Sequence, residues 1–167
     1  LSIPKGVAVV ADGAVERTFI VGRASADDPA CVDLKGRGTN SVRCVYIGDW
    51  PETPVTSLRG FTLTGGRTCG DKANVANSMG GGVYCVRQYP VVSDCIISNN
   101  ASSRGGGCCN GHYVNCRFFD NWANANRAGA SQCYLYGCVL DHNRGVNAAQ
   151  NCYDVYNCTF GSDNLKE

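Results

Sequence analysis

The feature that most constrains the fold of this chain is an internal repeat of roughly twenty residues. Five six-residue segments share Phe or Cys at the first position, a large apolar residue at the third, and Gly, Asn or Asp at the sixth. The segments begin at Phe61, Cys95, Cys116, Cys138 and Cys158, so a first step of 34 residues is followed by steps of 21, 22 and 20. Repeats of this length are typical of solenoids, in which each unit covers the apolar face of its neighbour.

The spacing inside each segment selects the fold class. Apolar side chains at the first and third positions have the two-residue period of a β-strand, whereas a helical repeat would need a 3.6-residue stripe. We therefore predict an all-β fold, a single-stranded parallel β-helix (β-solenoid) of about six or seven coils. We expect it to be right-handed, because crossovers between parallel strands almost always are.

The repeat also predicts the domain organisation. We expect one β-helix domain over 1–167, in which residues 1–56 form irregular N-terminal coils and residues 57–164 form regular coils. Residues 49–56 and 67–79 are polar and rich in turn formers, which indicates loops leaving the coils. The second loop accounts for the long first step.

Stacking of the coils would align equivalent positions in ladders along the axis. The third position predicts one inward apolar ladder of Leu63, Ile97, Phe118, Leu140 and Phe160. The sixth position predicts an Asn100, Asn121 and Asn143 ladder that ends at Asp163. Asn amides can hydrogen-bond from coil to coil and tolerate left-handed corners, and the glycines at 80–82 and 105–107 suit the same corners.

Twelve cysteines favour an exported protein, and the absence of a CxxC pair argues against zinc ribbons and thioredoxin-like sites. Eight of them form two predicted structural columns, Cys85, Cys109, Cys133 and Cys152 in the first and Cys95, Cys116, Cys138 and Cys158 in the second. Two alternatives stay open for the paired columns: disulfides within each coil, or buried free thiols. Since neighbours in a strand alternate, we expect Cys108 to face outward.

Charge and hydropathy exclude several functions. The net charge is +1 and only 17% of residues are charged, so a nucleic-acid groove or a polybasic membrane patch is not expected. No apolar run approaches the length of a transmembrane helix. A hydrophobic content of 44% is sufficient for a folded core.

Several stretches of the sequence carry a family resemblance. They are GGGVYC at 80–85, DCIISNN at 94–100, VNCRFFDN at 114–121 and VYNCTF at 155–160. They resemble the right-handed parallel β-helix repeats of bacterial surface proteins. They are also similar to the GGA(I/L/V) and FxxN repeats of chlamydial polymorphic outer-membrane proteins, FxxN being matched by Phe118 and Asn121. The resemblance implies export, and it covers adhesins, autotransporter passengers and polysaccharide-active enzymes. Later coils depart from it, with Gly129-Ala130 and Ala148-Ala149 in place of paired glycines.

One surface patch is the candidate ligand-binding site. Positions at odd offsets from the cysteine should face solvent, which predicts exposed Arg117, Phe119 and Asp141, with Asp120 and His142 at the following corner. Trp50, Trp122, Tyr84 and Tyr136 are further candidates for stacking on sugar rings. With only two histidines, we expect no multi-histidine metal site.

The function predicted from these observations is an exported or cell-surface module with a structural, adhesive or glycan-binding role and no catalysis. The expected location is the bacterial cell surface or the medium. The expected partners are a surface polysaccharide, another surface protein, or further coils of a longer chain. The alternative is a fragment of a polysaccharide lyase or glycoside hydrolase. The resemblance implies a cofactor only under that alternative. Calcium would then bind to Asp120 and Asp141, and Arg117 or Arg144 would act as the catalytic base.

Overall fold

The computed structural model describes residues 1–25, 38, 40–49, 51–68, 75–126, 128–145 and 147–161. Two short 3₁₀ segments, Val15–Arg17 and Val75–Ser78, accompany the strands. The strands in chain order are β1 (Ser2–Ile3), β2 (Ala8–Val10), β3 (Phe19–Val21), β4 (Val45–Ile47), β5 (Ser57–Arg59), β6 (Thr62–Thr64), β7 (Val83–Cys85), β8 (Val91–Ser93), β9 (Ile96–Ser98), β10 (Ala101–Arg104), β11 (Cys108–Cys109), β12 (His112–Val114), β13 (Arg117–Phe119), β14 (Trp122–Asn126), β15 (Ala130–Ser131), β16 (Tyr134–Tyr136), β17 (Val139–Asp141), β18 (Ala149–Gln150), β19 (Asp154–Tyr156) and β20 (Thr159–Phe160).

These strands form three parallel sheets of six strands each. The first sheet has the order β1-β4-β7-β11-β15-β18, the second β2-β5-β8-β12-β16-β19, and the third β3-β6-β9-β13-β17-β20. A two-stranded sheet, β10-β14, adds a fourth side to part of the stack. Each passage of the chain contributes one strand to every long sheet, which is the topology of a parallel β-helix and confirms the predicted fold class. Right-handedness and the total number of coils stay predictions.

We name the passages coils 1 to 6. Coils 1 and 2 contain β1–β3 and β4–β6, coils 3 and 4 contain β7–β10 and β11–β14, and coils 5 and 6 contain β15–β17 and β18–β20. The loop predicted over 67–79 lies between coils 2 and 3, and its described part includes the Val75–Ser78 segment.

The predicted apolar ladder forms the centre of the core. Leu63, Ile97, Phe118 and Leu140 are fully buried and face one another in register from coil 2 to coil 5. Phe160 continues the register opposite Leu140, but 47% of its surface is exposed. Burial was wrongly predicted at this position because, among the described strands, none pairs with β20 on its outer side.

A second ladder of buried amides runs beside the apolar one, as predicted. Asn100 Nδ2 donates to Asn121 Oδ1 (3.1 Å), and Asn121 Nδ2 donates to Asn143 Oδ1 (2.9 Å). Asn121 Nδ2 also donates to the Ile97 carbonyl (2.8 Å), so each amide joins its own coil to the previous one. The predicted end of this ladder, Asp163, lies outside the described residues.

The left-handed corners do not lie at these asparagines, which corrects the prediction. The residue one position earlier has the positive φ, with values of 51° at Asn99, 53° at Asp120 and 50° at His142. Gly80 and Gly105 are left-handed as expected. Gly82 is required for a different reason, because a Cβ there would approach the Gly107 carbonyl oxygen to 2.5 Å and Asn100 Nδ2 to 2.9 Å.

The cysteines of the second column stack in one register. Cys95, Cys116, Cys138 and Cys158 immediately precede in-register residues of β9, β13, β17 and β20. The first column does not share a single register. Cys109 pairs with Tyr84 and Ser131, whereas Cys85 ends β7 and Cys133 lies beyond the corner at Gln132.

The direction predicted for Cys108 is wrong. Cys108 belongs to the buried core, where its Sγ lies 3.4 Å from Cys133 Sγ. Cys109 lies on the other face of β11, where its Sγ contacts Met79 Sδ at 3.8 Å. Cys109 is therefore also buried, beneath the residues that precede coil 3. All ten described cysteines are free thiols, so none of the four proposed within-coil disulfides is present in the structure.

Candidate functional site

Four of the five predicted ligand-binding residues surround one shallow pocket. Arg117, Phe119, Asp141 and His142 line about 220 Å³ on the outer face of the third sheet. Pairing of β13 with β17 places Phe119 opposite Asp141 and Arg117 opposite Val139. The two-residue period therefore brings these side chains to the same face.

In this pocket, the carboxylate of Asp141 contacts the adjacent residue, His142. Its Oδ2 lies 3.0 Å from Nδ1 of His142, and its Oδ1 accepts the backbone N–H of His142 at 3.0 Å. The left-handed backbone of His142 turns the chain back onto the preceding carboxylate. Within the described ranges, no group of three His, Cys, Asp or Glu side chains is placed to bind a metal ion.

Asp120 does not join this pocket. It lines a larger cleft of about 430 Å³, where the third sheet meets β10 and β14. We call this the corner cleft and define it by Arg67, Asn99, Asp120, Trp122 and Arg144. The two aspartates thought to share a cation under the lyase alternative therefore line different pockets.

The corner cleft is built on one column of the solenoid. Arg67 bridges to Ala101, Ala101 pairs with Trp122, and Trp122 bridges to Arg144, all in parallel register. Backbone hydrogen bonds maintain this register: Ala101 N donates to Gly66 O (2.9 Å), and Arg144 N donates to Asn121 O (2.8 Å). The column occupies coils 2 to 5, so a continuous backbone ladder holds its side chains.

The charged groups of the cleft differ in their hydrogen bonding. The Arg67 guanidinium donates to Asn99 Oδ1 (3.2 Å), to the Asn99 carbonyl and to the Gly66 carbonyl (3.0 Å). The side chains of Asp120 and Arg144 are exposed, and among the described residues neither has a hydrogen-bond or ion-pair partner. The cleft thus presents an indole ring, two guanidinium groups, an amide and a carboxylate.

Sequence reasoning considered Asp120, Trp122 and Arg144 separately but missed Arg67 and Asn99. A signal was present, since Arg67, Trp122 and Arg144 each follow the sixth position of a repeat. Asn99 and Asp120 share the fifth position. An alignment extended by one position would have placed these residues in two neighbouring columns.

The tyrosines considered for sugar stacking, Tyr84 and Tyr136, lie outside the corner cleft. The ring of Tyr134 stacks on His112 (4.3 Å between centroids) and on Tyr153 (5.2 Å), and Tyr136 lies 6.3 Å from His112. These rings form a row of neighbours on the second sheet, and cross-strand pairs of this kind stabilise stacked strands. Tyr84 is buried beneath Arg43, whose guanidinium carbon lies 4.9 Å from the ring centroid. Trp50 lies outside the described residues.

Five of the thiols are poorly suited to nucleophilic chemistry because burial raises their pKa, whereas a hydrogen bond with Cys116 lowers the pKa of Cys95 and of Cys138. Burial raises the pKa of Cys44 to about 11 and that of Cys152 to about 12. Burial also raises the pKa of Cys108, Cys133 and Cys85. Because the thiolate is the reactive form, these groups stay protonated and unreactive near neutral pH.

Comparison of the chain with protein-family models, curated proteins and solved structures finds no match. The assignment to the parallel β-helix class therefore rests on strand topology and register. In the described part of the chain, no helix is long and apolar enough to cross a membrane.

Proposed function

We propose that this protein is an exported or cell-surface β-solenoid module of a bacterium that binds a glycan and does not catalyse a reaction on it. The observation that carries the proposal is the corner cleft, which is lined by Trp122 together with Arg67, Arg144, Asn99 and Asp120. An aromatic ring packs well against the apolar face of a sugar. Flanking polar groups then orient the ligand through its hydroxyl groups.

The distribution of carboxylates favours binding over hydrolysis. Glycoside hydrolases generally place two carboxyl groups on either side of the scissile bond. Asp120 is the only carboxylate among the described residues that line the corner cleft, while Asp141 lies in the other pocket beside His142. We therefore prefer a non-catalytic module to the hydrolase alternative. The position of Asp120 and Asp141 in different pockets weighs against the shared calcium site of the lyase alternative.

Export is supported by the sequence repeats, which resemble those of bacterial surface proteins. Kinship with the polymorphic outer-membrane protein repeats is part of this proposal. The stacked coils would supply a rigid support for a surface adhesin, and an adhesive role is compatible with glycan binding.

The proposal is tested by binding to immobilised bacterial and host polysaccharides. Trp122→Ala should abolish retention, whereas Tyr136→Ala, which removes an aromatic ring from the second sheet, should not. Circular dichroism of both variants checks that the fold is retained. Equal retention of Trp122→Ala and the unmodified protein would refute binding at the cleft, and release of new reducing ends or unsaturated products would support the enzyme alternative.

A further inference from the structure

We infer that the corner cleft selects a linear oligosaccharide bearing acidic groups, and that this ligand lies parallel to the solenoid axis. The inference rests on the proposed glycan-binding function and adds the ligand class and its orientation. It is carried by the charges of the cleft, by the spacing of its column and by the position of Trp122.

The charges of the cleft favour an anion. Its lining contains two guanidinium groups, from Arg67 and Arg144, and one carboxylate, from Asp120. Asn99 accepts from the Arg67 guanidinium through its side-chain and backbone oxygens, which orients that group at the cleft wall. The Arg144 guanidinium has no hydrogen-bond or ion-pair partner among the described residues, so its donors can bind a carboxylate or sulfate.

The spacing of the column sets the length of the ligand. Successive coils are separated by about 4.8 Å, so the three steps from Arg67 to Arg144 span about 14 Å. A single sugar ring is too short to contact both arginines. A chain of roughly three sugars along the axis would place an acidic group near each end.

The centre of the column is suited to an uncharged ring face. Ala101 separates Arg67 from Trp122 and is only 2% exposed, so a small side chain forms the floor between the two larger groups. Trp122 then offers an indole surface between the arginines. On the wall, Asp120 can accept a hydrogen bond from a sugar hydroxyl group, which a carboxylate does well.

The test uses the full chain with Trp50→Phe, which leaves Trp122 as the sole tryptophan and its fluorescence as the reporter. The probes are a trihexuronate, the same trisaccharide after carboxyl reduction, an O-sulfated form of that neutral trisaccharide, and a hexuronate monomer. We expect an acidic trisaccharide to bind at least about tenfold more tightly than both the neutral trisaccharide and the monomer. Its affinity should fall as salt is added. The uronate and sulfated probes then distinguish the two sources of negative charge.

Arg144→Gln is the principal variant, because the Arg67 side chain also holds Asn99. It should weaken binding of the acidic trisaccharide at least about fivefold and leave the neutral trisaccharide unaffected. Arg117→Gln makes the same charge change in the pocket on the third sheet and should alter neither.

The outcomes separate this inference from the proposed function. Equal affinity for acidic and neutral trisaccharides, both abolished by Trp122→Ala, would overturn acid selection and leave glycan binding intact. A monomer that binds as tightly as the trisaccharide would overturn the axial orientation. Failure of all four probes would overturn the inference, whereas loss of the proposed function requires that no polysaccharide binds through Trp122.

Discussion

The central and final coils carry the same repeat but differ in burial. Phe118 in coil 4 is fully buried, whereas Phe160, at the equivalent position of coil 6, is 47% exposed. On the second sheet, Leu135 in coil 5 is fully buried and its in-register partner Val155 in coil 6 is 42% exposed. The repeat therefore determines which way a side chain points, whereas burial requires a neighbouring coil on both sides.

The largest expected effect compares the two phenylalanines directly. Phe118→Ala should lower the free energy of unfolding by about 3–5 kcal/mol, because a large cavity would open between Ile97 and Leu140. Phe160→Ala should cost less than about 1 kcal/mol, because solvent already reaches the ring. Urea denaturation of both variants measures the difference. Similar losses would mean that another segment covers coil 6 in solution.

A smaller loss is expected in the amide ladder of the central coils. Asn121→Ala leaves the Ile97 carbonyl, the Asn100 amide groups and Asn143 Oδ1 without these partners. Each buried polar group left unsatisfied costs about 1–3 kcal/mol, so a total loss of at least about 2 kcal/mol is expected. Urea denaturation of Asn121→Ala measures the loss, and a neutral result would show that water replaces the amide.

The corner of coil 6 offers a test of backbone conformation with little burial. Asn151 is exposed and has a φ of 53°. Asn151→Ala should lower the free energy of unfolding by about 1 kcal/mol. Alanine disfavours the left-handed region because, unlike asparagine, it has no short polar side chain that can hydrogen-bond locally. Asn151→Gly should be nearly neutral, since glycine populates positive φ freely. Thermal unfolding of the two variants checks the order, and the reverse order would contradict the left-handed corner.

The rate of thiol alkylation should also distinguish the final coil from the central coils, and it should depend on pH. Burial holds the pKa of Cys152 at about 12, above the ordinary value, so its thiolate fraction at pH 8 is small and should rise about tenfold per pH unit below that pKa. Cys152 and Cys158 are partly exposed and should be alkylated before the buried Cys116 and Cys133. Mass spectrometry of timed alkylation gives the order.

Denatured, unreduced protein should show at least the ten described thiols, and four or fewer would support the disulfide alternative.

The smallest effect is expected at an exposed ion pair between coils 2 and 3. Arg59 Nε lies 2.9 Å from Asp94 Oδ2, and both side chains are well exposed to solvent. Arg59→Gln should change the free energy of unfolding by less than about 1 kcal/mol, with the difference falling further in salt. Urea denaturation at low and high salt measures it, and a larger, salt-independent loss would indicate a structural role for Arg59.

The candidate site was only partly accessible to sequence reasoning. The outward direction of Arg117, Phe119 and Asp141 followed from alternation within one strand, and the structure brings these residues around one pocket. The corner cleft was not predicted, although its column runs over three coil steps from Arg67 to Arg144. The repeat was aligned over six positions only, and Arg67, Trp122 and Arg144 each stand one position beyond it.

The sequence by itself determined the parallel β-helix class, the apolar ladder from Leu63 to Leu140, the asparagine ladder and the second cysteine column. These features depend on alternation and on a repeat interval that, after a first step of 34 residues, stays between 20 and 22 residues. Only the tertiary structure decided that Cys108 faces the core, that Cys109 lies under Met79, and that Phe160 is exposed. The physical reason is that coils align through backbone hydrogen bonds, and the number of residues at each corner changes which side chains meet. The closely packed glycines at 82, 107 and 129 and the backbone ladder set that alignment. In it, Cys109 shares a row with Tyr84 and Ser131, so Cys85 lies one position and Cys133 two positions beyond Cys109. Matching the cysteines by sequence alone therefore misaligned the first column.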